Sequence, residues 1–508
     1  MLLNCLYKSA QTSPQKTALA YNNIHLNYSN FLSAIDHASA ELEDRALPSG
    51  SRVVLMMPGC LDFAVYYFAL LQCGMVVVPA RQMKNKDDLI ALLDETGAQL
   101  IIGLRGDADM IERALQGSES CNQKIISNRG FVTGNSNSTR SNRDATHERE
   151  TQLARIAHSK IAAITYGHSD APRIALQALN NISEIAKSIC EILYLNEDDC
   201  VVTSIPQHHS FGMMLALNVP IVAGARIAIP EQLNAEGILQ IIEKQGGTCL
   251  FGFPALFDAI VALKPEKQKL ESVRLAVSCG SHLKSETYSY FIEHYNIEIL
   301  EAYGLTEYSP LVACNRVFRA GKKNSAGFPM PEVEIAILDQ NQEMTRCNEI
   351  GEIVIKGRHL FAGYLQAGRM IENGCDDSWF HTGDTGYIDG DGYLFVLGKS
   401  DELIYRDGFC ISPHEIESKL QQLPQVKAAS VQFENQKHKK MEIMAFILPE
   451  DGDTFCEKKL IEFCKKELEV YKRPTKFERV KEFPVNAAGT ILKQNIGGTS
   501  FSESTAGG

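Results

Sequence analysis

The 508-residue chain predicts an α/β fold: a large N-terminal domain of layered, mostly parallel sheets with a small barrel-like antiparallel part, then a small α+β C-terminal domain. Three observations predict it. Between Arg52 and about Leu300, short apolar runs alternate with helical patterns, as buried parallel strands separated by helices do. After Ser325 the texture turns to alternating strands and tight turns. From about Asp401 a compact order of helix, strand, strand, helix and strand follows.

The strand-like runs come in order: RVVLM at 52–56, MVVVPA at 75–80, QLII at 99–102, IAAIT at 161–165, ARIAI at 225–229, CLFGF at 249–253 and RLAVS at 274–278. An apolar helix is predicted from about Asp62 to Gln72. In folds of this kind function sits in loops at the carboxyl ends of strands. The stretch 117–152 is polar and aperiodic, which predicts a mobile surface insertion. VEIAILD at 333–339 and GEIVIKG at 351–357 predict half-buried strands, and GYIDGDGYLFV at 386–396 a hairpin turned by Asp-Gly steps. The small unit is predicted as a helix at 415–423, strands at 426–433 and 441–448, a helix at 456–468 and a strand at 476–480. The expected boundaries are a core domain over 1–398, a link over 399–401, a C-terminal domain over 402–497 and a flexible tail over 498–508.

The formal charge of −12 speaks against nucleic acid and anionic membranes, both of which select basic surfaces. No apolar run approaches the roughly 20 residues that cross a bilayer, and the N-terminal residues lack the apolar core of a secretory signal. The 14 cysteines are scattered from Cys5 to Cys464 without a CxxC pair, which predicts a reducing cytoplasm rather than zinc or disulfides. His208-His209 has no acidic or cysteine neighbour in sequence, and the doubled Asp-Gly near 390 lacks the other ligands of a calcium loop.

An ordered set of motifs carries the chemistry: P-x-x-H-S-F-G at 206–212, LFGFPALF at 250–257, EAYGLTE at 301–307, GFPMP at 327–331, GEIVIKG at 351–357 with Gly363-Tyr364, WFHTGD at 379–384, GYLFVLGK at 392–399 and GF-x-I-x-P-x-EIE at 408–417. A lone Glu307 or Asp384 would be a solvated loop acid; in this order the set resembles the adenylate-forming superfamily of acyl- and aryl-CoA synthetases, peptide-synthetase adenylation domains and luciferases. The resemblance covers nearly the whole chain.

It implies a reaction in which ATP and a carboxylate give an acyl-adenylate, the small domain swings on its hinge, and a thiol then displaces AMP. By motif, Tyr303 lies against adenine with Ala302 and Gly304, and Gly280, Ser281 and His282 form part of that wall. Thr306 bonds the α-phosphate and Glu307 holds magnesium, which prefers oxygen ligands. Asp384 binds the ribose hydroxyls, acceptor to donor, with Lys399 beside it where the family carries arginine. Asp401 is the hinge, Gly408 lines the approach of the thiol arm, and His209 gates the acyl pocket from the thiol tunnel. That thiol belongs to CoA or to a carrier protein's phosphopantetheine. Phe211, Met213, Met214, Phe251, Gly252 and Ser278 are expected to line an acyl pocket. No acid stands in 210–220 to hold an ammonium group, so the small-molecule carboxylate or thioester is an uncharged aryl or medium acyl compound.

Two departures are selective. The phosphate loop keeps Thr165, Gly167 and Ser169 but carries Tyr166, Asp170, Arg173 and Ile174 where the family has a hydroxyl, glycine, lysine and glycine. Glycines matter there because amides must approach phosphate closely. In Pro484-Val485-Asn486-Ala487-Ala488-Gly489-Thr490-Ile491-Leu492, Thr490 replaces the lysine that bridges carboxylate and α-phosphate; Lys493 is a nearby cation. Cys279, where the family has glycine, is either a small buried thiol or a nucleophile beside His209 or His282. Since the groups gripping pyrophosphate are the altered ones, adenylation is expected to be impaired, ATP, AMP and magnesium being held weakly, and the leading expectation is an acyltransferase between CoA and a carrier protein. A fully working ATP-dependent acyl- or aryl-CoA ligase and a non-catalytic AMP or acyl-CoA binding relative are the alternatives.

Overall fold

The computed structural model describes residues 2–83, 85–127, 161, 163–166, 174–319, 321–366, 369–372, 378–399, 404–406, 409–434, 442–450, 456–485, 491 and 493–496. Its contacts divide the chain into two compact units, Met1–Glu334 with Lys356–Ser378, and Ile335–Ile355 with Trp379–Gly508.

The first unit is built on two large sheets. One has eight strands, in the order Arg369–Glu372, Gly363–Gln366, Ile174–Gln177, Ala163–Tyr166, Val76–Ala80, Arg52–Met56, Leu100–Leu104 and Gln123–Ser127. The last five run parallel. Their Val- and Ile-rich sequences fit burial on both faces, and Val53, Val54, Val77, Val78, Ile101 and Ile102 are fully buried. Every residue of the helix Leu61–Gln72 is buried, so its sequence is apolar all round rather than striped. Its one carboxylate, Asp62, accepts the Ser127 hydroxyl at 2.7 Å.

Ser127 belongs to an element the sequence did not predict. Gln123–Ser127 pairs in parallel with Leu100–Leu104 along its whole length, so the polar insertion does not begin at Gly117. Burial of Ile125 and Ser127 and pairing with a neighbour outweigh the polar composition around them. The rest of the expected insertion, 128–152, lies outside the described residues.

The other sheet has nine strands. Six are parallel, in the spatial order Ile299–Gly304, Leu275–Cys279, Cys249–Gly252, Cys200–Thr203, Arg226–Ile229 and Thr17–Tyr21. Leu311–Cys314 turns back antiparallel beside Ile299–Gly304. One face carries Leu250, Ala276 and Ile299 into a core with Leu256, Phe257 and Ile260 of the helix Pro254–Leu263. Residue alternation along a strand then sends Phe251, Val277 and Cys279 to the opposite face.

In the second unit, Gly351–Gly357, Phe380–Ile388 and Leu394–Lys399 pair antiparallel in sequence. The hairpin is closed by Asp389, whose Oδ1 accepts the amides of Asp391 at 3.0 Å and Tyr393 at 2.9 Å, so this Asp-Gly acid serves a turn. The helix Pro413–Leu420 packs on Leu394–Lys399, and Ser412 Oγ donates to the Leu397 carbonyl at 3.3 Å. These contacts place the antiparallel strands with the C-terminal elements, whereas the sequence assigned everything to 398 to the large domain. The helices Pro413–Leu420 and Glu457–Glu467 and the strands Val426–Glu434, Glu442–Pro449 and Lys476–Arg479 follow the expected order. No helix among the described residues is long and apolar enough to cross a membrane.

Candidate functional site

In the first unit the strand Ile299–Gly304 ends in a tight turn, Thr306–Tyr308, that presents Thr306 and Glu307. Two segments hold this turn. On one side the Glu307 carbonyl accepts the Phe361 amide at 2.8 Å, and its carboxylate accepts the Tyr364 hydroxyl at 2.8 Å. That segment is itself stitched down, by Ala362 N to Leu176 O at 2.9 Å and by Asn181 Nδ2 to Leu360 O at 2.6 Å. On the other side Gln177 Nε2 donates to the Thr306 carbonyl at 2.5 Å. Glu307 is thus an acid of fixed direction, half-buried at the carboxyl end of a central strand.

The acyl-side residues meet the same strand end. A Cβ on Gly304 would fall 1.9 Å from the Pro310 carbonyl oxygen and 2.9 Å from Phe211 Cζ, so only glycine lets the Phe211 ring approach the backbone beside Tyr303. Phe211 follows His209, which caps the short helix Ser210–Gly212: His209 Nδ1 accepts the Phe211 amide at 3.2 Å. An acceptor Nδ1 puts the neutral ring's proton on Nε2. The ring of Phe253 lies edge-on to His209, with centroids 5.3 Å apart, and a Cβ on Gly280, at φ +90°, would meet that ring at 2.9 Å. Phe253 therefore links His209 to the Gly280–His282 wall. After Gly212 the chain opens into a wide π-helical turn, Met213–Asn218, a form that recurs at functional sites; Met213 and Met214 are buried there.

Other predicted residues separate from this group. Gly252 pairs with Ser278 in register, and a Cβ on Gly252 would meet Leu256 Cδ2 at 2.6 Å. By alternation Ser278 shares that helix-covered face, so neither turns toward Phe251 as an acyl-pocket lining would. Cys279 is fully buried, its Sγ directed to the Gly252 carbonyl at 3.9 Å, and burial pushes its thiol far above the usual range. A protonated thiol is a poor nucleophile. The geometry fits the small buried thiol. Cys279→Ala should leave acyl-thioester formation at the wild-type rate; loss of turnover in a folded variant, with an acyl adduct on the wild-type protein by mass spectrometry, would establish covalent catalysis instead.

Glu301, two residues before Tyr303, was not singled out by the sequence beyond its place in the motif. Its carboxylate accepts the amides of Leu283 at 3.3 Å and Asn324 at 3.0 Å, tying the end of the Gly280–His282 loop to the strand. Burial raises its pKa to about 7 despite these bonds. An elevated folded-state value means stability is fully present below the unfolded value of about 4.3 and is lost as pH rises through the folded one. Glu301→Gln should flatten the pH dependence of unfolding between those limits by roughly 4 kcal/mol, read from denaturant midpoints across pH. An unchanged profile would exclude a titrating Glu301.

In the second unit Asp384 is buried and its Oδ1 lies 2.6 Å from Lys399 Nζ, the two facing each other across paired strands. Asp384 is further set by its own amide donating to Thr382 Oγ1 at 3.0 Å, while Thr382 donates to the Ile353 carbonyl at 2.7 Å. Lys493, the cation nearest Thr490 in sequence, is engaged with the buried Glu417 at 2.9 Å, and Glu417 also accepts the Val431 amide at 2.7 Å. Lys493 is thereby committed to its own unit's core edge. Gly167, Ser169, Asp401, Gly408 and Thr490 lie outside the described residues; Thr165 is buried at the strand end before residue 167. Among the described residues no cluster of three or more His, Cys, Asp or Glu side chains stands ready for a metal. Glu307 alone fits a magnesium ion carried chiefly by nucleotide phosphates and water.

The layered sheets and the small following unit have the fold of carboxylate–CoA ligases. The ATP-bound MatB of Rhodopseudomonas palustris superposes with a TM-score of 0.84 at 21% identity, covering 97% of this chain and 98% of that one. The anthranilate–CoA ligase AuaEII in complex with anthranoyl-AMP gives 0.82 at 20% identity, over 97% and 96%. In sequence, the oxalate–CoA ligase of Arabidopsis thaliana is 27% identical over 97% of this chain and 98% of its own length. A long-chain-fatty-acid–CoA ligase of Bacillus subtilis is 24% identical over 97% and 94%. The AMP-binding enzyme family model matches residues 6–365, and that of the AMP-binding enzyme C-terminal domain matches 415–490. This chain belongs to the AMP-binding enzyme family.

Proposed function

We propose that the chain is an ATP-dependent ligase that joins an uncharged aryl or medium-chain carboxylic acid to CoA. The observation that carries this is the meeting of two groups at one strand end: the Thr306–Glu307 turn, suited to a nucleotide phosphate and its magnesium, and the Phe211 ring packed on Gly304 one step before it. An acyl-adenylate needs that juxtaposition, because its acyl carbon and α-phosphorus are joined through a single oxygen. The substrate carboxylate would attack the α-phosphorus and release pyrophosphate; the CoA thiol would then attack the acyl carbon and release AMP. Thr306 and Glu307 would orient the phosphate side, and Phe211, Met213 and Met214 the acyl side. His209, its tautomer set by the Phe211 amide, would stand where acyl group and thiol meet. CoA as acceptor is supported by relatives that bear CoA-ligase names across nearly the full chain.

The purified protein with ATP, magnesium, CoA and a panel of aryl, short and medium acids should release AMP and form an acyl-CoA, read by mass spectrometry. Absence of thioester across the panel would overturn the proposal. A second reading, acyl transfer from CoA to a carrier-protein thiol without ATP, is favoured by Thr490 and the altered phosphate loop. It requires a mass shift on a carrier protein from acyl-CoA alone, and fails if that shift depends on ATP.

A further inference from the structure

Gln177 was given no role by any motif, yet its side chain contacts Thr165, Thr306 and Ser309. It ends the strand Ile174–Gln177, which pairs antiparallel with Ala163–Tyr166; these two strands flank residues 167–173 in sequence. The residue is only 2% exposed. Its Nε2 donates to the Thr306 carbonyl at 2.5 Å and lies 3.5 Å from Thr165 Oγ1, while its Oε1 accepts the Ser309 hydroxyl. One amide therefore grips both ends of the turn, Thr306 and Ser309, with Glu307 between them.

We propose that Gln177 is a positioning residue for adenylation, holding the Thr306–Glu307 turn where ATP and its magnesium are received. This rests on the ligase function proposed above. The chemistry singles out an amide. A side chain of this length must donate to a carbonyl and accept from a hydroxyl at once, which glutamine does and leucine or an ionised glutamate does not. Without it, the buried Ser309 hydroxyl loses its acceptor and the Thr306 carbonyl keeps only the long bond from the Ser309 amide at 3.4 Å. The turn would then keep its own backbone bonds and the Phe361 and Tyr364 contacts on its far side, but lose its tie to the strand Ile174–Gln177. Because Gln177 sits on the strand leaving the phosphate loop, it also couples that hairpin to the carboxylate facing the nucleotide.

The test uses Gln177→Leu and Gln177→Glu in the full chain. In Gln177→Leu, acid-dependent ATP–pyrophosphate exchange should fall about tenfold, while thioester formation from a synthetic acyl-adenylate and CoA, which has no triphosphate or magnesium to place, changes far less. Gln177→Glu should be equally slow near about pH 8 and recover as pH falls, because a carboxyl must be protonated to donate to the Thr306 carbonyl. A packing defect would not follow that pH course. Isothermal titration with ATP, in magnesium and in EDTA, needs no turnover: the affinity that magnesium adds should shrink in Gln177→Leu. Wild-type exchange in Gln177→Leu, equal loss of both half-reactions, or an unshifted magnesium increment would each overturn the proposal. If the wild type ligates no acid in the panel, the ligase function fails, and the titration still decides the role of Gln177.

Discussion

Replacing Glu307 by glutamine should lower acid-dependent ATP–pyrophosphate exchange by about 10²–10³-fold, the usual consequence of removing one well-placed group that meets charge in the transition state. The structure makes this substitution clean. Gln can still accept the Tyr364 hydroxyl, as Glu307 does at 2.8 Å, and the backbone bond from Phe361 is unaffected. What is lost is the negative charge, and with it the attraction for a magnesium ion shared with the triphosphate. Turnover of a synthetic acyl-adenylate with CoA involves no triphosphate and should change far less. The pair of measurements therefore reads the role of the residue: exchange at the wild-type level would remove Glu307 from the nucleotide site, and equal loss in both halves would make its role structural.

The second large effect runs the other way. On the ligase function proposed above, Thr490→Lys should raise the same exchange by about 10²-fold, because the resemblance expects at this position the lysine that meets charge during adenylation, and the chain has threonine there. Lys493 is no ready substitute, because its ammonium is 2.9 Å from Glu417, whose carboxylate also fastens the Val431 amide. Pulling Lys493 out would leave a largely buried carboxylate without its partner, which is costly. Glu417→Gln is the natural control, since it should release Lys493; a rise in exchange in that variant would mean that Lys493 already serves the reaction. If Thr490→Lys leaves exchange unchanged, the wild-type chain adenylates by other means and the threonine is neutral.

Much of the architecture was legible because its signals are local. Runs such as RVVLM and ARIAI are apolar and β-branched over a strand's length, and they fold as Arg52–Met56 and Arg226–Ile229. Asp389 announces its hairpin because an aspartate can bond amides two and four residues on. Gln123–Ser127 was not legible. Its residues look like part of a polar loop until Leu100–Leu104 offers them a parallel partner, and pairing across a sheet leaves no periodic trace in so short a segment. The grouping of Phe380–Ile388 and Leu394–Lys399 with the C-terminal elements was hidden for the same reason.

The sequence by itself determined the order of chemical groups: the Thr306–Glu307 turn, Asp384, His209 and the substitutions at Asp170 and Thr490 are read from residue type and spacing alone, because a motif is a local arrangement of backbone and side chain. The tertiary structure alone decided which of them share surroundings. It directed Cys279 into the core, turned Gly252 and Ser278 away from Phe251, tied Lys493 to Glu417, and brought Gln177 and Tyr364 onto a turn 129 and 57 residues distant. Burial and hydrogen-bond partners are properties of neighbours in space, and in a fold of crossing parallel strands those neighbours come from far along the chain.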